Sequence, residues 1–544
     1  MTQHPFAITL DVGSSKANHT GSWRTERPVY VHRAAPCGGA CPAHEDPQAW
    51  LYHAENGDYE AAWRVLTADN PMPAIMGRVC YRPCEAACNR GSLDEAVGIN
   101  AVERFLGDAA LEHGWAFDAP PAAGGKRVLV VGAGPSGLSA AYHLARRGHH
   151  VELHDAERKP GGMMRYGIPR YRLPREILDA EIARILALGV DLHTDSRVGD
   201  LDGALREGRF DAAFVAVGAH LAKRAYVPAG SAARVLDAVS VLHDMEDGPA
   251  PRLGRRVAVV GGGNTALDVA RTARRLGAEE AVIIYRRTQE RMPAHADELA
   301  QALDEDVQVR WLSVIDRVEG ERVVVERMRL DDSGFPQPTG ELEELQADCV
   351  VLATGQECDL SLLDGLDGVR IDDGVVQVGD DLMTGHAGVF CGGDAVPAER
   401  TVTTAIGHGA VAAAHVDGWL RGEPAVVGDP REPAGFDVLN TWYFGDAPRA
   451  MRPRLEHARR IATFDEVVGG LDADTALFEA RRCLSCGNCL ACDNCFGMCP
   501  DNAVIKLDPA GAYAYAIDLD YCKGCGICAR ECPAGAIQMV PELV

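Results

Sequence analysis

Arg127-Val128-Leu129-Val130-Val131-Gly132-Ala133-Gly134-Pro135-Ser136-Gly137 is the stretch on which the fold turns. A strand-forming run enters a G-x-G-x-x-G loop, and a helical pattern, Leu138 to Arg147, opens behind it. The glycines let the strand turn sharply, bring backbone against a pyrophosphate and allow helix and strand to pack closely. A lone loop of this kind is weak evidence. Here the next strand, Val151-Glu152-Leu153-His154, ends in Asp155, 23 residues past Gly132, where a carboxylate can accept from a ribose hydroxyl. Gly132, Gly134, Gly137 and Asp155 are therefore candidate dinucleotide contacts.

The pattern recurs after Arg256-Val257-Ala258-Val259-Val260 as Gly261-Gly262-Gly263-Asn264-Thr265-Ala266, with alanine in the third glycine's place. Gly261, Gly263, Asn264 and Thr265 are the candidates here. Glu279 and Glu280 precede the following strand, whereas Arg286 and Arg287 stand at its end and Arg291 one turn further. Guanidinium forks suit a ribose 2′-phosphate, which favours NADP(H) over NAD(H). A solvated basic face is the bland alternative and leaves that choice open.

Working outward, 544 residues predict about three or four domains of ~150 residues each. Short Val/Ile/Leu runs alternate with helical patterns from Lys126 to about residue 430, the grammar of parallel α/β sheets. The net charge of −25 argues against nucleic-acid binding. Neither a signal-peptide core in the first 30 residues nor an apolar run of membrane-spanning length is present, so a cytoplasmic protein with reduced thiols is expected.

Ten of the 18 cysteines fall in residues 483–544. Eight of them make two copies of C-x2-C-x2-C-x3-C-P: Cys489, Cys492, Cys495, Cys499 with Pro500, and Cys522, Cys525, Cys528, Cys532 with Pro533. The words resemble the bacterial two-cluster ferredoxin, in which the fourth cysteine of each run ligates the other [4Fe-4S] cube. That resemblance implies one cube on Cys489, Cys492, Cys495 and Cys532, and another on Cys522, Cys525, Cys528 and Cys499. Zinc and disulfides are the weaker alternatives.

Two fingerprints about 130 residues apart resemble the flavoproteins with two dinucleotide-binding domains, as do Ala353-Thr354-Gly355 and Gly388-Val389-Phe390-Cys391-Gly392-Gly393-Asp394-Ala395. The resemblance implies FAD in the first unit, Gly393 and Asp394 beside the flavin, and a helix opening near Thr404-Ala405-Ile406 whose N-terminus faces the ring. No C-x2-C or C-x4-C lies between residues 126 and 430. Cys349, Cys358 and Cys391 read as buried small hydrophobes, and electrons must leave singly.

Gly161-Gly162-Met163-Met164-Arg165-Tyr166-Gly167-Ile168-Pro169, Tyr171-Arg172-Leu173-Pro174, Tyr285-Arg286-Arg287 with Met292-Pro293, and Gly77-Arg78-Val79-Cys80 narrow the match. They are similar to the small subunit of bacterial NADPH-dependent glutamate synthase and the N-terminal part of dihydropyrimidine dehydrogenase. This implies FAD, NADPH and a helical N-terminal domain with two cubes, and adds Gly162 and Arg165 to the cofactor candidates. The relatives' leading C-x2-C is missing: Cys37, Cys41, Cys80, Cys84 and Cys88 are the only thiols there. By resemblance Glu103 supplies one ligand. Cys483 and Cys486, in a setting like the missing pair, supply two more. The expected sets are Cys37, Cys88, Cys483, Cys486 and Cys41, Cys80, Cys84, Glu103, giving four cubes. If Cys483 and Cys486 are unligated, three remain.

The expected fold is α/β, with two Rossmann-like domains, the nicotinamide domain inserted in the FAD domain. A helical iron-sulfur domain precedes them and an α+β ferredoxin-like domain follows. The expected boundaries are 1–120 for the arm and helical domain, 126–250 and 376–430 for the FAD domain, 251–375 for the nicotinamide domain, 431–482 for a connector and 483–544 for the tail. No general acid, nucleophile or substrate pocket is legible. The expected function is an NAD(P)H:acceptor oxidoreductase exchanging electrons with ferredoxin or a partner oxidoreductase, such as a 2-oxoacid:ferredoxin enzyme, within a hetero-oligomer. A bifurcating subunit and a non-catalytic wiring subunit are the alternatives.

Overall fold

Two parallel five-stranded sheets form the middle of the chain, each with its glycine-loop strand at the centre. The first runs Val389–Cys391, Ala212–Val215, Arg127–Val131, His150–His154, Asp191–His193 in spatial order. The second runs Val307–Trp311, Glu280–Tyr285, Arg256–Val260, Cys349–Leu352, Val235–Asp237. The central strands are buried on both faces, as continuous Val/Leu/Ala runs demand. The computed structural model describes residues 19–22, 24–119, 124–223, 227–228, 234–425, 431–507 and 514–542. Most of the expected N-terminal arm and residues 120–123, at the junction of the helical and FAD units, lie outside the described residues.

By sheet membership the inserted unit starts ahead of residue 251 and closes ahead of 375. Val235–Asp237 already belongs to its sheet, and Gln356–Glu357 has returned to pair antiparallel with Leu221–Ala222. The two crossings thus run side by side. A three-residue edge strand has too little pattern to announce itself.

The N-terminal region is helical, with Pro47–Ala54, Tyr59–Leu66, Pro73–Val79 and Ile99–His113 as its principal helices. Asp46 and Asp58 cap the first two by accepting from Ala49 N and Ala61 N. The last two helices touch backbone to backbone: a Cβ on Gly107 would sit 2.3 Å from Ala74 N. That approach sets Cys80, just past one helix, against Glu103 on the other. The connector crosses the same region, with Glu466 paired to Arg78 and Arg104 and Val467 N donating to Tyr171 O.

In the tail, Val504–Lys506 pairs antiparallel with Tyr515–Ile517. Its last strand, Ile537–Pro541, takes as antiparallel partner Glu26–Tyr30 from the other end of the chain. No helix among the described residues is long and apolar enough to cross a membrane.

Candidate functional site

The first glycine loop is closed as its residue types require. A Cβ on Gly137 would lie 1.8 Å from Gly132 O, so only glycine lets the helix Pro135–Arg146 start here. Asp155 accepts from Ala133 N at 2.6 Å and Glu157 N at 2.8 Å, which fixes the carboxylate beside the loop. Gly162 adopts φ +51, and a Cβ there would lie 2.8 Å from Gly134 Cα. Two bare backbones therefore face each other over the helix N-terminus, a cradle that fits a dinucleotide. Arg165 is buried and donates to Pro160 O, with Asp179 and Glu246 as ion-pair partners, so its fork braces the Gly161–Gly162 turn.

Gly393 and Asp394 come to the same place from the far end of the unit. Gly393 stacks on Ser136, its added Cβ 3.2 Å from Ser136 Cβ, and its N–H donates to His408 Nδ1 at 3.1 Å. Burial pushes the Asp394 carboxyl up, with Arg400 opposing. Thr401 caps the helix Val402–Arg421 by accepting from Thr404 N, and Ala405 is buried in its first turn. Sequence reading missed His408, whose signal is its position one turn after Thr404 on that helix.

In the second unit Gly263 caps the helix Asn264–Arg275, and Asn264 Oδ1 accepts from His295 N at 2.9 Å, tying the Met292–His295 segment to the loop. Thr265 lies in the helix's first turn. Arg286 and Arg291 are exposed and Arg287 half-buried; none of the three makes an ion pair with a carboxylate among the described residues. Arg287 Nε is buried without a partner. The Arg291 guanidinium packs over Gly334 and its carbonyl accepts from Tyr285 Oη, so Arg286 and Arg287 are the better placed anion donors.

The cysteines gather in fours. Cys37, Cys88, Cys483 and Cys486 line one internal void with Gln48 and Asn89, and Asn89 Nδ2 donates to Cys486 Sγ at 3.4 Å. The tail segment is held there by Glu479, which accepts from Gly98 N, and by Arg482, which donates to Ala447 O, Ala96 O and Glu95 O. Both are almost fully buried. Cys41, Cys80, Cys84 and Glu103 form a second set. Burial pushes the Cys80 thiol up to about 12, Glu103 adds to this, and the Thr403 hydroxyl donating at 3.3 Å opposes it.

Glu103 accepts from Asn70 Nδ2 and Asn100 Nδ2, and burial, then Glu45, push its carboxyl well above the usual range. Glu45 shares the Asn70 amide and is itself pushed up to about 7, chiefly by burial. Nothing beyond its place four residues after Cys41 marked Glu45 in the sequence. Cys499, Cys522, Cys525 and Cys528 line another void. Cys495 is pushed up to about 11 by burial, with Cys489, Cys532 and Cys492 adding to it and Tyr30 Oη, 3.3 Å away, opposing.

These sets do not fit a mononuclear ion. Zn–S bonds of about 2.3 Å place tetrahedral sulfurs roughly 3.8 Å apart. Among the described residues no three cysteine sulfurs lie within 4.8 Å of one another, and no cysteine is in a disulfide. A polynuclear core with bridging sulfide fits the wider spacing.

Helix and thiol meet where the units join. Thr403, in the first turn of the flavin-side helix, bonds Cys80, and a Cβ on Gly407 would lie 1.9 Å from Pro42 O. Two dinucleotide units with a thiol cage set against the flavin-side helix define an iron-sulfur flavoprotein oxidoreductase. The chain belongs to the pyridine nucleotide-disulphide oxidoreductase family, matched over residues 126–409. Residues 18–115 match dihydropyrimidine dehydrogenase domain II with its 4Fe-4S cluster, and residues 515–538 match the 4Fe-4S binding domain.

The chain is 37% identical over 508 residues to the NADP(+)-dependent formate dehydrogenase subunit beta of Moorella thermoacetica, covering 83% of this chain and 70% of that one. It is 33% identical over 518 residues to the NADPH-Fe(3+) oxidoreductase subunit beta of Geobacter sulfurreducens, covering 85% and 77%. To the NAD-dependent dihydropyrimidine dehydrogenase subunit PreT of Escherichia coli (strain K12) it is 31% identical over 399 residues, covering 71% and 92%. The protein is an FAD-dependent NAD(P)H oxidoreductase with 4Fe-4S clusters, as its motifs led one to expect.

Proposed function

We propose that this chain is the NADP(H)-handling subunit of a cytoplasmic hetero-oligomeric oxidoreductase, with four cubes held by the four ligand sets above. When bound, FAD exchanges hydride with the nicotinamide and the cubes carry single electrons. The chain's residues do the rest. The helix start at Pro135 and the Gly134–Gly162 gap receive the pyrophosphate, and Asp155 stands at the ribose. Arg286 and Arg287 pair with the 2′-phosphate. Thr403 links the flavin-side helix to Cys80. Cys492 and Cys525 are exposed at the tail surface, where ferredoxin or a partner subunit gains access. The relatives named as beta subunits support an assembly of this kind, and the partner class is a formate-oxidising subunit, by the first relative's name, or the 2-oxoacid-oxidising enzyme that the ferredoxin-like tail suggests.

The observation that carries this reading is the void shared by Cys37, Cys88, Cys483 and Cys486, thiols drawn from opposite ends of the chain. Anaerobic iron and sulfide quantitation tests it. Cys483→Ala/Cys486→Ala is expected to lower iron from about 16 to about 12 per chain with flavin content kept. Undiminished iron in the folded variant overturns the assignment.

A further inference from the structure

Glu152, His154 and His193 share one face at the edge of the first parallel sheet and have no part in the cofactor sites above. Glu152 and His154 are two apart on the strand His150–His154, so their side chains point the same way. His193 is His154's register partner on the neighbouring strand, and the two imidazoles stack with centroids 4.6 Å apart. One donor atom from each of the three residues lies within 4.8 Å of the other two, the only such trio of His, Cys, Asp or Glu among the described residues.

The donors are also oriented. His154 Nδ1 is hydrogen-bonded to Ser196 Oγ at 2.9 Å, which leaves Nε2 for a ligand, and Nε2 faces Glu152 Oε2 at 4.0 Å. Metal-binding histidines are commonly held by a hydrogen bond on the second ring nitrogen, to a carboxylate, a backbone carbonyl or water, and the Ser196 hydroxyl takes that place here. Glu152 Oε1 is paired with Arg127, and Oε2 remains for coordination. His193 is exposed, so an ion reaches the trio from solvent and keeps a position for water.

We infer that Glu152, His154 and His193 form a surface site for a divalent transition ion of the zinc type, separate from the iron sites. Two imidazoles, one carboxylate and an open position suit zinc, nickel or cobalt and disfavour calcium or magnesium. The ion would clamp two neighbouring strands one residue before Asp155, whose carboxylate holds Ala133 N in the first glycine loop.

The test uses full-length, flavin- and cluster-loaded protein prepared anaerobically, equilibrated with Zn²⁺ and desalted. Metal analysis is expected to show about one retained zinc per chain with unchanged iron, falling to none in His154→Gln/His193→Gln. Ser196→Ala, which touches no donor atom on the ion, is expected to weaken zinc binding by about 10- to 100-fold. The zinc X-ray absorption edge should report nitrogen and oxygen neighbours without sulfur. His193 is exposed, so His193→Gln alone serves if the double variant misfolds. Equal zinc retention in wild type and variants, zinc uptake matched by iron loss, or sulfur in the zinc shell would each overturn the proposal.

Discussion

Replacing Thr403 by valine removes one hydroxyl at the point where the flavin-side helix meets Cys80, a cluster ligand in the proposed function. The side chain is 3% exposed and its Oγ1 lies 3.3 Å from Cys80 Sγ. Valine fills the same space, so the perturbation is the lost bond rather than a cavity. A hydrogen bond to a ligating sulfur favours the more electron-rich state, and its removal lowers the reduction potential. With a net worth of about 1 kcal/mol for such a bond, and about 59 mV per 1.4 kcal/mol for a one-electron couple, the expected shift is roughly −40 mV. The assay is a potentiometric titration of the anaerobic holoprotein followed by electron paramagnetic resonance. One cluster signal should move while the others stay, and Thr403→Ser, which keeps the hydroxyl, should restore it. Unmoved signals, or an equal shift in Thr403→Ser, would refute the reasoning that this contact tunes the cluster nearest the flavin.

Gly137→Ala should abolish flavin retention while leaving iron in place, because the new Cβ would meet Gly132 O at 1.8 Å; flavin absorbance against protein reads this, and normal flavin content would contradict the loop assignment. Arg286→Ala/Arg287→Ala should raise the KM for NADPH by about 10- to 100-fold, the worth of one or two charge-assisted bonds at about 1.5–3 kcal/mol. NADH kinetics should be unchanged, and a parallel loss with both nucleotides would remove the 2′-phosphate role. His143 is pushed down to about 3 from 6.5, chiefly by burial with Arg147 adding to it. The folded state therefore binds fewer protons than the unfolded one, and stability is full above pH 6.5 and is lost as pH falls toward 3. The cost at pH 5 is about 2 kcal/mol. His143→Gln, which can still donate to Asp69 O, should flatten that acid slope in chemical denaturation; an unchanged slope would speak against it.

The sequence was most informative where backbone geometry dictates residue type. Gly132, Gly137 and Gly261 could be placed from the motif around them, and each sits where an added Cβ would meet a backbone oxygen, of Ala216, Gly132 and Ala353 in turn. The cysteine words stand out for a related reason: three thiols that share one cube fix the spacing between them within a run. What escaped reading depends on contacts made across the chain. Glu45 meets Glu103 only through Asn70, 25 residues from one and 33 from the other. Arg165 entered the cofactor candidates by resemblance alone; its ion-pair partners are Asp179 and Glu246, which no local pattern pairs with it. The edge strand Val235–Asp237 takes its identity from the neighbour it joins, Cys349–Leu352, more than 100 residues later.

The two ends of the chain are exchanged in both directions, and that has a physical consequence for the route between them. Glu26–Tyr30 leaves the N-terminal region to pair with the tail's last strand, and Tyr30 places its hydroxyl on Cys495. Cys483 and Cys486 leave the tail to complete the void with Cys37 and Cys88, anchored by buried Glu479 and Arg482. A module tethered by one linker could swing, since a flexible segment costs little to lengthen. A module whose last strand pairs with one segment of the opposite terminus, and whose neighbouring thiols share a void with another, cannot leave without breaking strand pairing and pulling two thiols out of that void. The separation between the thiol sets is therefore fixed by the same contacts that fold each end. In this chain the distance an electron must cover is a property of the folded state, not of an encounter.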